Sequence, residues 1–128
     1  MEDLKVQKSA ELPFFPVVSF NANTGECEIA GESYMEDTYK FYAPVFEWFR
    51  KFTEEMNRPI VFNVKLTYFN TSSSRALLDI FDILKKYEDE GGDVTVNWYY
   101  DPDDPDMKYE VEDFEEESEL KINLIELD

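Results

Sequence analysis

The stretch Ile60-Val61-Phe62-Asn63-Val64-Lys65-Leu66-Thr67-Tyr68-Phe69-Asn70-Thr71-Ser72-Ser73-Ser74 decides how the rest of the chain is read. Its first ten residues alternate, with Phe62, Val64, Leu66 and Tyr68 on one side and Asn63, Lys65 and Thr67 on the other. That is the period of a strand with one buried face. The next five residues are all of the type that caps a helix. Leu77, Ile80, Phe81, Leu84 and Tyr87 then recur at helical spacing, so a helix runs to about Tyr87. Gly91-Gly92 stops it, and Asp93 to Tyr100 supplies another alternating strand with Val94, Val96 and Trp98 on one side. Strand, polar turn, helix and strand in that order point to a sheet with helices packed against it.

Upstream, Phe14 to Phe20 is apolar and β-branched, Asn21 to Gly25 carries turn chemistry, and Cys27 and Ile29 alternate with Glu26 and Glu28. These read as a hairpin. Asp37 to Asn57 has the helical period in Tyr42, Val45, Phe46, Phe49, Phe52 and Met56. Pro44 either kinks that helix or marks its first turn, and Asn57-Arg58-Pro59 ends it. Trp48 falls off the apolar stripe and is a candidate for an exposed interface anchor. Downstream, Asp101 to Glu119 carries eleven carboxylates against one Lys108, with a helical turn or two expected around Met107 to Glu117. Leu120, Ile122, Leu124 and Leu127 suggest a last strand. The predicted order is β-β-α-β-α-β-(α)-β: an α/β fold with a single mixed β-sheet packed with helices. Residues 1–12 are expected to form a flexible N-terminal arm, and 13–128 one domain.

Composition limits the function. The 128 residues include 12 Lys and Arg against 30 Asp and Glu, a formal charge of −18. Nucleic-acid binding draws its affinity from cations that neutralise phosphates, so this surface repels DNA and RNA. It also disfavours anionic membranes, and no stretch is long and apolar enough to insert in one. A single cysteine and no secretory profile point to the cytoplasm. With no histidine, the commonest general base and metal ligand is missing.

Two segments offer chemistry. In the Asn70–Ser74 run a phosphate on a hydroxyl would meet unpaired N–H groups and the positive end of the helix dipole. The plain alternative is a polar turn with redundant caps. In the acidic segment, Asp101, Asp103 and Asp104 begin like a calcium loop, but Pro105 and Asp106 stand where that motif needs a ligand and then glycine. No metal site follows, no cofactor is implied, and a solvated face or a docking surface for a basic partner is the simpler reading. No spacing singles out a catalytic carboxylate pair, and Cys27 reads as a small buried apolar residue.

Leu66 to Ser74, followed by Ala76 to Leu84, resembles the SiaC family of bacterial regulatory phosphoproteins. The likeness extends to Ser33-Tyr34, Glu47-Trp48 and Trp98-Tyr99-Tyr100-Asp101, and covers about Phe14 to Asp128. It implies a fold similar to STAS domains, the anti-anti-sigma-factor type. It implies that Thr71 is the phospho-acceptor, with Asn70, Ser72 and Ser73 as the rest of the switch motif. It also implies a serine/threonine kinase with a histidine-kinase-like ATPase domain, an opposing PP2C-type phosphatase, and an output partner that is a GGDEF diguanylate cyclase. The unphosphorylated protein would bind and activate that cyclase, promoting cyclic-di-GMP signalling and biofilm formation. On this reading the chain is not an enzyme. The alternatives are a constitutive interaction or oligomerisation domain, or a metal-dependent enzyme using the acidic residues.

Overall fold

The computed structural model describes residues 1–7, 9–11 and 13–127. Six strands lie side by side in chain order: β1 (Leu4–Val6), β2 (Val17–Phe20), β3 (Glu26–Ser33), β4 (Ile60–Phe69), β5 (Val94–Tyr100) and β6 (Ile122–Glu126). β1, β2 and β3 pair antiparallel, and β3 through β6 pair parallel, so the sheet is mixed. Three helices make the parallel crossovers: α1 (Thr38–Lys51), α2 (Thr71–Asp89) and α3 (Pro105–Ser118). Right-handed crossovers that step in one direction along a sheet place every helix on the same face. The core lies between that face and the helices, where Ile29, Phe62, Val64, Trp98, Leu77, Ile80 and Phe81 are fully buried. The other face is polar: Lys65 pairs with Glu28 at 2.8 Å, and Asn63, Asn97 and Asn123 form an amide ladder with bonds of 3.0 and 3.1 Å.

Within the expected N-terminal arm, Leu4–Val6 add a strand to the sheet edge. The Asp3 carboxylate accepts from the Ala22 N–H at 2.7 Å, and the Trp48 indole donates to the Glu2 carbonyl at 2.9 Å. Trp48 is therefore not an exposed anchor. It is 6% exposed, packed edge-on to Phe20 and stacked on Phe52. Its displacement from the α1 stripe points it at β2 and the N-terminal segment, a second apolar surface.

Asp37 caps α1 by accepting from the Lys40 N–H at 3.1 Å. Pro44 thus sits inside the helix rather than in its first turn. A π-helical turn, Phe52–Met56, extends α1 to Asn57, which ends it in the left-handed conformation at φ 48°. In β4, Phe62, Val64 and Leu66 are buried as expected, but Tyr68 is 52% exposed. The pairing with β3 passes from Gly31↔Leu66 to Glu32↔Tyr68, leaving Thr67 as an extra residue. Such a bulge inverts the alternation beyond it. Phe69, not Tyr68, consequently turns inward against Trp98 and Phe114, with ring centroids 5.8 and 5.7 Å away.

The acidic segment holds a full 14-residue helix, longer than the turn or two expected. Asp104 caps it, Pro105 opens it, and Met107, Val111, Phe114 and Ser118 are buried at three- and four-residue spacing. Burial of that narrow stripe offsets the repulsion among carboxylates that face water.

Candidate functional site

The bulge in β4 hands the chain to α2 through Asn70. Its backbone N–H donates to the Ser33 carbonyl at 3.0 Å, which ties the end of β4 to the end of β3. Its side-chain oxygen accepts from the Ser73 N–H at 2.9 Å and from the Ser72 hydroxyl at 3.2 Å. Asn70 is therefore the N-cap of α2, with extended backbone at ψ 178°. One side chain satisfies a helix-start N–H that would otherwise be left to solvent.

The serines that follow are held by the surrounding elements. Ser73 is fully buried, and its hydroxyl accepts from the Ser33 hydroxyl at 2.8 Å. Ser33 in turn shares a 2.7 Å bond with the Tyr42 phenol of α1. The Ser72 hydroxyl shares a 2.7 Å bond with Thr38, also on α1. Burial pushes the Tyr42 phenol up to about 12, against a smaller opposing pull from the Ser33 hydrogen bond. The network is thus uncharged at neutral pH. Thr71 takes part in none of these bonds. It is the first residue of α2 and is exposed.

Thr71 stands on a ridge between two grooves. Toward α1 lies a groove of about 720 Å³ whose walls include Thr38, Tyr39, Phe46, Arg75 and Asp79. Toward α3 lies one of about 360 Å³, with Phe69 and Phe114 at its base and Glu110, Asp113 and Glu117 along its side. Among the described residues, Arg75 is the one cation lining either groove. Burial, and then repulsion from Asp104, Asp106 and Asp113, raises the Glu110 carboxyl above the ordinary carboxylate range. Among the described residues, no three His, Cys, Asp or Glu side chains gather as a metal site would require. Nor, among the described residues, is any helix long and apolar enough to cross a membrane. The Cys27 thiol is buried and pushed up by desolvation, with Glu26 adding to the effect.

A profile described as the SiaC family regulatory phosphoprotein matches residues 8–127. The chain belongs to the SiaC family. It is 30% identical over 102 residues to an uncharacterised protein of Pseudomonas aeruginosa (strain UCBPP-PA14), covering 80% of this chain and 81% of that one. The crystal structure of apo-SiaC from Pseudomonas aeruginosa superposes with a TM-score of 0.89 at 27% identity, over 98% of this chain and 99% of that one. A chain in the crystal structure of diguanylate cyclase SiaD in complex with its activator SiaC, from the same organism, gives a TM-score of 0.91 at 26% identity. That match covers 98% of this chain and all of the other. The mixed six-stranded sheet with its three helices is accordingly the architecture of solved SiaC structures.

The four residues of the expected switch motif come together at the start of α2, with Asn70, Ser72 and Ser73 turned to internal bonds and Thr71 to solvent. Sequence reasoning missed what surrounds them. Ser33 and Thr38 reach the turn from 40 and 34 positions away, Tyr42 joins it through Ser33, and nothing local in the sequence announces those contacts. Arg75 was within reach of a reading, since it lies one helical turn beyond Thr71.

Proposed function

We propose that this chain is a non-enzymatic cytoplasmic regulator that binds and activates a diguanylate cyclase when Thr71 is unmodified, and releases it when Thr71 is phosphorylated. One observation carries this reading: in the hydroxyl-rich turn, Ser73 is buried and Ser72, though exposed, is bonded to α1 and Asn70, whereas Thr71 is exposed and takes part in none of these bonds, on a ridge between two grooves. A kinase active site can take a hydroxyl that leaves the core undisturbed. The first position of a helix also suits a phosphate, because the dipole and free N–H groups favour negative charge there. A hydrated dianion on the ridge would oppose any partner surface packed into the aromatic groove toward α1.

Membership in a family of regulatory phosphoproteins supports the switch, and the Pseudomonas aeruginosa SiaD–SiaC complex supports the choice of a diguanylate cyclase as partner. A serine/threonine kinase with a histidine-kinase-like ATPase domain would close the switch, and a PP2C-type phosphatase would reopen it. Cyclic-di-GMP output would then set biofilm formation.

The test combines phosphosite mapping on protein from its native cells with a binding titration against the cyclase. A single phosphate on Thr71 is expected. Thr71→Ala should bind like the unmodified parent and resist kinase treatment, while Thr71→Glu should bind at least tenfold more weakly. Phosphate found only on another residue, or equal binding by the phosphorylated parent, would reject this function.

A further inference from the structure

Arg75 occupies an unusual place in the site. Its guanidinium Nε lies 3.5 Å from Asp79 Oδ1, one turn further along α2, and its side chain is 74% exposed. The contact is long for an ion pair of this type. Its direction along the helix is also the weaker one, because a base placed four residues before an acid runs against the helix dipole. A phosphate on Thr71 reverses the order. Acid then precedes base by four residues, the favourable order. In this structure the Arg75 side chain reaches forward to Asp79, but helical Cβ atoms tilt toward the N-terminus, so a rotamer change brings the guanidinium back over the preceding turn, where Thr71 stands.

Among the described residues, no other cation lines the grooves on either side of Thr71. The α1 wall offers Thr38, Tyr39 and Phe46, and the α3 wall offers Glu110, Asp113 and Glu117. A dianion on Thr71 is repelled from the α3 side and finds one compensating charge. We infer that Arg75 is the intramolecular receptor of the phosphothreonine: on phosphorylation it leaves Asp79, forms a charge-assisted pair with the phosphate, and holds it over the groove toward α1. This inference rests on the proposed phosphorylation of Thr71 and assigns Arg75 as the positioning residue of the modified state.

The test installs phosphothreonine at position 71 during translation, without any kinase, and follows the second ionisation of the phosphate by ³¹P NMR. In the parent, the Arg75 cation should hold that ionisation about one pH unit lower than in Arg75→Gln. Arg75→Lys should fall between, since a point charge replaces a forked donor. Asp79→Asn, which removes the rival anion, should lie at or below the parent. Superimposable titrations for the parent and Arg75→Gln would overturn the inference. Whether native cells modify Thr71 is decided separately by phosphosite mapping, so either idea can fail alone.

Discussion

The chemistry of the site depends on which hydroxyls are free and which are bound. Ser33, Ser73 and Tyr42 form a buried chain that must stay neutral, because a phenolate there would be desolvated. Burial raises the Tyr42 phenol, so the folded protein holds its proton longer than the unfolded chain. The stability this represents is complete below pH 10, the ordinary value, and is lost as pH climbs through about 12. By linkage the loss amounts to roughly 3 kcal/mol. Urea unfolding of the parent and of Tyr42→Phe, compared at successive pH values, should show an excess alkaline loss in the parent of about that size. Equal pH dependence in the two proteins would place the phenol outside the coupled network. Asn70→Ala, which removes the cap from the Ser73 N–H, should cost about 1 kcal/mol in the same assay at neutral pH.

At the scale of elements, β1 is short and pairs with β2, while Glu2 and Asp3 just before it bond to Trp48 of α1 and to Ala22. Removing residues 1–6 breaks the Trp48–Glu2 and Asp3–Ala22 bonds and uncovers β2 along its edge. The expected loss is about 2–4 kcal/mol, read as a lower urea midpoint by circular dichroism. An unchanged midpoint would return these residues to the status of an arm. The legibility of the elements follows their locality. β4 and α2 were readable because alternation, capping residues and helical period all lie within one continuous stretch. β1 was not, since a single apolar–lysine–apolar alternation over three residues is too short to stand out as a period. The bulge at Thr67 was hidden because a skipped pairing depends on β3, 35 positions earlier. In α3, seven carboxylates masked the apolar stripe of Met107, Val111 and Phe114, whose burial needs the rest of the fold. At the site, the capping turn was legible for the same local reason, while its bonds to Ser33, Thr38 and Tyr42 required the packing of α1 against α2.

For the whole molecule, the excess of 18 negative charges acts as a distributed load against folding. Raising sodium chloride from about 0.01 M to about 0.5 M screens that repulsion and should raise the melting temperature. Mild acidification should act in the same direction. Burial and neighbouring acids raise the carboxyls of Asp82 and Glu110, so the folded state gains protons first and its stability increases as pH falls toward their ionisation. Melting curves from about pH 7.5 to about pH 5.5 check the sign, and a fall in melting temperature across that range would contradict it. The same architecture places the two tryptophans at opposite ends of the core. Trp48 lies beneath the N-terminal segment, and Trp98 beneath Phe69 and Phe114, the floor of the α3 groove. With Trp98→Phe the emission spectrum belongs to the first edge of the sheet, and with Trp48→Phe to the side beside the groove toward α3. The protein therefore carries two native fluorophores, each positioned to report when its own side of the fold admits water.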